Sequence, residues 1–276
     1  MTDEENTWKT EPPWGLGDRL MERLTQTAKE VARDWGLTLL PDRGGRYSYV
    51  GFTSDGKVLK VTPVEDDEAD HEGDALAAWD GDGAVRLLRR DVARRVLLIE
   101  RAQPGTDISR LHEDQANAAA VDVALRLWRP ARRGEPFRGI GERVAHDLER
   151  TGSHDLVPLA RTLFTSMSFA ETTLLHGDYH HFNVLRSGDG YVAIDPKPLV
   201  GEAEFDVAPF LWNPIGTRMP TFEQTQRRIS AFAAAGLDPE RIREWAIVRG
   251  VCLGLPLSGG KTEATSPQLR TVRQLL

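Results

Sequence analysis

The sequence predicts an α+β protein of two lobes, a small β-rich one followed by a larger, mainly helical one. Three observations carry this expectation. The first hundred or so residues hold short β-branched and aromatic runs closed by turn signals. Beyond Pro104-Gly105 apolar residues recur at helical spacing. A single strand-like interruption, over 174–198, breaks that second half. The lobe boundary is placed near residue 103, giving lobes of 1–102 and 103–276.

Residues 1–15 read as a loose, acidic and polar arm, without a signal peptide. From Leu16 to Trp35, Leu20, Leu24, Ala28, Val31 and Trp35 keep a three-or-four rhythm, so an amphipathic helix is expected. A short strand over Leu37–Leu40 follows. Arg46–Ser54 and Lys57–Val61 form a hairpin turned by Asp55-Gly56. Thr62-Pro63-Val64-Glu65 has the form of a capped helix start, with a proline in the first turn and Glu65 closing a capping box, and that helix is expected to reach Trp79. Strands are expected at Val85–Leu88 and Arg95–Glu100. Helices are expected at about 107–129, 141–151, 155–173, 204–212, 221–235 and 239–255.

Composition narrows the function classes. The chain has 276 residues, one cysteine (Cys252) and a net charge of −7. One thiol can make no internal disulfide, which points to a reducing, cytoplasmic setting. No apolar run has the ~20 residues of a membrane helix, and the net acidity argues against a nucleic-acid partner. The 35 basic residues are 29 Arg and only 6 Lys.

The stretch richest in chemistry is Leu174-Leu175-His176-Gly177-Asp178-Tyr179-His180-His181-Phe182-Asn183, continued by Tyr191-Val192-Ala193-Ile194-Asp195-Pro196-Lys197. A polar loop follows an apolar pair, and a second apolar strand ends on a lone aspartate. Phosphoryl transfer needs such a set: one carboxylate to orient and deprotonate a hydroxyl, then an amide oxygen and a second carboxylate for Mg²⁺. The clustered His180 and His181 leave a His/Asp metallohydrolase as another reading, although adjacent loop residues usually point apart.

These residues resemble the kinase-like phosphotransferases of the aminoglycoside and hydroxyurea resistance family, most closely the streptomycin 6-kinases. His176-Gly177-Asp178…Asn183 matches the catalytic loop, and Ile194-Asp195-Pro196-Lys197-Pro198-Leu199-Val200-Gly201-Glu202 matches the metal-binding strand and the loop after it. Gly81–Leu88 and Trp212-Asn213-Pro214 are also similar, so the resemblance spans about 36–255. It implies a two-lobed protein-kinase-like fold, Asp178 as base, Asn183 and Asp195 as Mg²⁺ ligands, and His176 as a structural prop.

Such a kinase needs a strand lysine for the nucleotide phosphates, held by a helix glutamate. Lys60 sits in the apolar strand Val58-Leu59-Lys60-Val61, where an unpaired ammonium would be costly. Ala69, Glu72, Leu76 and Trp79 share one helical stripe, which makes Glu72 the expected partner, with Glu68 second. Val58 would roof the adenine. Gly45 and Ser48, in Gly44-Gly45-Arg46-Tyr47-Ser48, occupy the place of a phosphate-covering loop. Glu100 and Ala102 bracket a hinge whose backbone would bind the purine of ATP, with GTP left open. Gly254–Thr262 imitates a phosphate-binding loop, but its first glycine is one residue too distant and the preceding segment reads as helix.

The acceptor is expected to be a small, cationic molecule such as a streptomycin-type aminoglycoside, drawn by Asp178, Glu202 and Asp206 and by the overall charge. Glu204 and Asp206 could equally serve a helix start. Hydroxyurea, an amino sugar or another metabolite, or a pseudokinase that only binds nucleotide, are the other readings. Monomer and dimer both stay open.

Overall fold

Leu20, Leu24, Ala28 and Val31 bury one stripe of α1 (Gly17–Trp35) in the computed structural model, which describes residues 17–41, 48–215, 219–255 and 266–276. The chain divides into two units, residues 1–73 with 86–101 and residues 74–85 with 102–276. The N-terminal arm lies outside the described residues.

In the first unit α1 packs on an antiparallel sheet of β1 (Tyr49–Phe52), β2 (Lys57–Val61), β3 (Leu87–Asp91) and β4 (Val96–Glu100), ordered β1-β2-β4-β3. The expected hairpin is present, with Phe52 opposite Val58 and Gly56 at φ +82 in its turn. Side chains alternate along a strand. Leu59 and Val61 therefore join α1 in the core, while Val58 and Lys60 face the other side. Leu37–Leu40 forms one antiparallel bridge rather than a full strand: Leu39 pairs with Thr53, with Leu40 N bonding Phe52 O and Ser54 N bonding Thr38 O at 2.8 Å each.

The expected helix over 62–79 is also corrected. Residues 62–66 form turns, a short 3₁₀ turn covers Asp67–Ala69, and α2 spans only Glu72–Trp79. Its supposed capping residue is used elsewhere, because Glu65 takes both its hydrogen bonds, 2.7 Å each, from Arg23 of α1. Arg95 bonds Asp70 and the Asp66 carbonyl. These long-range partners hold the acidic run as turns.

In the second unit α3 (Glu113–Leu127), α4 (Ile140–Arg150), α5 (Val157–Ser166), α6 (Ala203–Trp212), α7 (Phe222–Ala234), α8 (Pro239–Gly254) and α9 (Pro267–Leu275) surround two small sheets. One sheet has the order β10 (Gly190–Ala193), β9 (Val184–Ser187), β5 (Pro104–Asp107). In the other, β8 (Thr173–Leu175) and β11 (Leu199–Gly201) lie between the two-residue strands β6 (Arg129–Pro130) and β7 (Arg138–Gly139). The core joins α4, α5, β8, β11, α6, α8 and α9 through Ile140, Ala160, Leu175, Leu199, Phe205, Trp245, Val248 and Leu269.

Residues 74–85 group with this unit for a visible reason. Trp79 Nε1 donates to Leu127 O at 2.7 Å, and Gly83–Val85 bonds Ala193 of β10 from both sides. Gly83 has φ +79, and a Cβ there would lie 3.0 Å from the Leu127 amide nitrogen. The expected strand Val85–Leu88 is accordingly split, Val85 serving β10 and Leu87 onward forming β3. No described helix is long and apolar enough to cross a membrane.

A buried charge pair ties three helices. Arg228 of α7, 2% exposed, bonds Glu113 of α3 at 2.6 and 3.1 Å and the carbonyls of Phe210 and Leu211 at the end of α6. Removing Glu113 leaves the buried Arg228 charge with carbonyl partners alone. Glu113→Ala is expected to cost about 3–5 kcal/mol in urea unfolding, whereas Glu113→Leu combined with Arg228→Met costs much less. Equal losses in the two variants would contradict this account.

Candidate active site

The first unit holds the expected lysine–glutamate pair. Lys60 Nζ bonds both oxygens of Glu72, at 2.8 and 2.7 Å, and the two residues are 6% and 1% exposed. The pair is possible because Lys60 lies on the sheet face away from α1 and Glu72 opens α2. Glu68, the second choice, is half-buried in the 3₁₀ turn, and it is Glu72 that holds Lys60. Val58 is buried on the same strand face as Lys60. Ser48 is half-buried just before β1, whereas Gly45 lies outside the described residues. Glu100 ends β4, is exposed, and donates its N–H to Arg86 O at 2.9 Å; Ala102, two residues on, is buried.

The second unit supplies the loop. β8 ends at Leu175, and the chain then turns through Gly177, whose φ is +81. An added Cβ would stand 1.8 Å from Lys197 O, so only glycine fits. His176 is fully buried. Its Nδ1 accepts from the Asp178 amide at 3.3 Å, which leaves Nε2 protonated toward Ile194 O at 2.9 Å. The assigned role of a prop agrees with these bonds.

Asp178 stands at the loop's exposed edge, its side chain 31% accessible and 3.5 Å from His180 Nε2. Burial pushes its carboxyl up, but His180, Lys197 and His176 outweigh this and hold it well below the usual carboxylate range. A carboxylate held ionised can orient a hydroxyl and receive its proton late in transfer. Asn183 closes the 3₁₀ turn His181–Asn183, and its Nδ2 donates to Asp178 O at 2.9 Å and contacts His180 at 3.4 Å. Ile194 N bonds Asn183 O at 2.9 Å, which draws the end of β10 to the loop. Asp195 follows in the left-handed region at φ +57, a conformation aspartate tolerates better than most residues. Asn183 and Asp195 thus offer two hard oxygen donors, a set that suits Mg²⁺ completed by phosphate and water.

The adjacent histidines part company. His180 approaches Asp178, while His181 is buried and stacks flat on Phe210 at 4.0 Å. They do not form a shared metal-ligand pair.

The acceptor assignments are corrected. Asp206 is fully buried on α6, and its oxygens accept from His176 N and Gly177 N at 2.7 Å each and from Trp128 Nε1 at 3.1 Å. It cannot meet a substrate and instead holds the loop. Glu202 accepts from Trp245 Nε1 at 3.0 Å, Ala170 N at 3.3 Å and Arg241 at 3.3 Å, so its carboxylate is committed to α8 and the segment before β8. Glu204 caps the chain before α8 through Asp238 N. Trp212 is core. The phosphate-loop imitation lies outside the described residues from 256 on, after α8 has run through Gly254.

Sequence reasoning missed Arg249 of α8. It is 8% exposed and donates to Gly177 O at 2.7 Å and Phe205 O at 3.0 Å. Burial lowers its pKa to about 10, so it stays charged at neutral pH. The missed signal is a lone arginine within Trp245-Ala246-Ile247-Val248-Arg249-Gly250-Val251-Cys252.

A family model described as aminoglycoside/hydroxyurea antibiotic resistance kinase matches residues 48–256. A hydroxyurea phosphotransferase from Kitasatospora aureofaciens is 35% identical over 254 residues, covering 85% of this chain and 73% of the relative. A streptomycin 6-kinase from Streptomyces glaucescens is 31% identical over 211 residues, covering 70% and 67%. The fold is also that of a thermostable aminoglycoside phosphotransferase APH(4)-Ia solved with ADP and hygromycin B, with a TM-score of 0.59, 14% identity, and coverage of 90% and 97%.

Burial lowers the pKa of His176, and burial followed by the charge of Arg228 lowers that of His181 further. The unfolded chain therefore binds these protons more readily. The stability involved is whole above about pH 6.5 and is lost as pH falls toward the lowered folded values. His181→Phe keeps the ring stacked on Phe210 and removes one titration. Its stability relative to the parent is expected to rise between pH 8 and pH 5 in urea unfolding, and a pH-independent difference would refute the assignment.

Proposed function

The chain belongs to the aminoglycoside/hydroxyurea antibiotic resistance kinase family, and on that premise we propose that it transfers the γ-phosphoryl group of ATP, with Mg²⁺, to a hydroxyl of a streptomycin-type aminoglycoside. The observation that carries the transfer chemistry is the loop geometry: Asn183 is tied to the Asp178 carbonyl, and Asp195 directly follows Ile194, whose N–H bonds the Asn183 carbonyl. In this reading Asp178 orients the acceptor hydroxyl and takes its proton. Asn183 and Asp195 hold Mg²⁺, which neutralises phosphate charge when bound. Lys60, fixed by Glu72, meets the nucleotide phosphates as a compact point charge. Val58 roofs the adenine, Ser48 and Gly45 lie over the phosphates, and the backbone between Glu100 and Ala102 reads the purine. The lobes divide the work at residue 103, nucleotide before it and catalysis after it.

The cationic acceptor is favoured by the name of the streptomycin kinase relative and by the net charge of −7, which attracts a polycation over the whole surface. Since Glu202 and Asp206 are committed within the protein, Asp178 is the acid left to meet the acceptor. Hydroxyurea is the second acceptor, favoured by the 35% identical relative of that name. Reaction within a reducing cytoplasm fits the single, buried Cys252.

A screen with ATP and Mg²⁺ against streptomycin, other aminoglycosides, amino sugars and hydroxyurea tests the acceptor, with product read by mass spectrometry. No phosphorylated product from any of them would sink the proposal and favour a nucleotide-binding module. With the best acceptor, Asp178→Asn is expected to lower kcat by roughly 10²–10⁴-fold with little change in nucleotide affinity. Asp195→Ala is expected to weaken Mg-ATP binding in calorimetry, and unaltered metal dependence would exclude it as a ligand. Lys60→Met is expected to act mainly on the KM for ATP, and an effect confined to the acceptor KM would argue against its phosphate role.

A further inference from the structure

Resting on the phosphotransferase reading, we propose that Arg249 is a positioning residue for the base, locking the peptide plane immediately before Asp178. The loop's backbone groups have named partners. Asp206 accepts the N–H groups of His176 and Gly177, His176 Nδ1 accepts that of Asp178, and Lys197 N donates to His176 O. Gly177 O belongs to the peptide that leads into the base, and Arg249 Nη2 holds it at 2.7 Å.

That peptide is the one needing a lock. Gly177 lacks a Cβ and sits at φ +81, so its own sterics restrict the plane between it and Asp178 less than any other residue would. A flip there would turn Gly177 O away, break the Asp178 N–H contact with His176, and swing the carboxylate. Arg249 opposes the flip with a fixed fork. Its other arm bonds Phe205 O at 3.0 Å, and its guanidinium lies 4.1 Å from the Phe205 ring centre. Phe205 precedes Asp206 in the first turn of α6, so one side chain joins the carbonyl before the base to the helix that holds the amides before it.

Packing alone does not call for a guanidinium here. The Arg249 guanidinium lies against the Phe205 ring on a buried stretch of α8, where an unbranched apolar side chain of similar length would fill the space without the cost of burying charge. The charge is balanced by Asp206 and Asp178, both of which raise its pKa against the effect of burial. A planar donor that reaches two carbonyls at once is what arginine supplies and lysine does not.

The test compares the parent, Arg249→Met, Arg249→Lys and, as reference for the base, Asp178→Asn. Two readouts are taken on each folded protein: steady-state transfer to the best acceptor, and hydrogen exchange of the amides of 176–178. Arg249→Met is expected to lower kcat about 100-fold while the KM for ATP moves less than about threefold, the pattern of a misplaced catalytic group. Exchange at 176–178 is expected to quicken in step, and Arg249→Lys, which can hold one carbonyl, to recover part of both. A folded Arg249→Met with parental kcat and parental exchange overturns the proposal. So does a variant with a lowered melting temperature whose kcat per folded molecule is unchanged. If Arg249→Met does not fold, Arg249→Lys decides on the same readouts. Should the parent transfer phosphate to no acceptor, the functional reading fails, while the exchange measurement still decides whether Arg249 holds this peptide.

Discussion

Two consecutive backbone N–H groups, of His176 and Gly177, share one partner, the fully buried carboxylate of Asp206. Much of the second unit is arranged around that fact. A charged acceptor with no access to water must be met by donors, and here three converge on it, the third from Trp128. Such charge-assisted bonds are worth about 1.5–3 kcal/mol each and lose far more if one partner is left alone. The loop between β8 and the 3₁₀ turn at His181 is therefore tied directly to α6. α6 is in turn fixed at its far end by Arg228, which takes the Phe210 and Leu211 carbonyls and answers Glu113.

The first unit follows the same rule with the signs reversed. There a buried ammonium, Lys60, is made tolerable by a buried carboxylate, Glu72, on the next helix. In each unit a buried charge, Lys60 in one and Asp206 in the other, is met by groups from a different element. The surface pairs are of another kind. Arg23 with Glu65 and Arg94 with Asp34 sit in solvent, where such contacts contribute little to stability but decide local geometry, as the turns at 62–70 show.

Lys60 was legible in the sequence because one lysine inside Val58-Leu59-Lys60-Val61 is conspicuous in a chain with 29 Arg and 6 Lys. Glu72 was legible because it shares a helical stripe with Leu76 and Trp79. The same logic, a charge inside an apolar run, applies to Asp206 within Phe205-Asp206-Val207-Ala208-Pro209-Phe210 and to Arg249 within α8. Asp206 was read as an acceptor contact because it lies close in sequence to Asp195. Proximity along the chain misled here: α6 turns inward, and its acid meets the residues that precede Asp178. The helix start at Thr62 failed for a related reason, since Arg23 lies 42 residues from Glu65 and no local pattern announces it.

By itself, the sequence determined the α+β order of elements, most helix spans of the second half, and the residue types able to perform phosphoryl transfer. These rest on periodicity and on short motifs, which are local properties. The tertiary structure alone decided which acids remain for chemistry and which are spent on the scaffold. It also decided that residues 74–85 pack with the later part of the chain and that Arg249 reaches Gly177. The physical reason is desolvation: whether a charge binds a ligand or props a loop depends on what surrounds it, and those surroundings come from segments far apart in sequence.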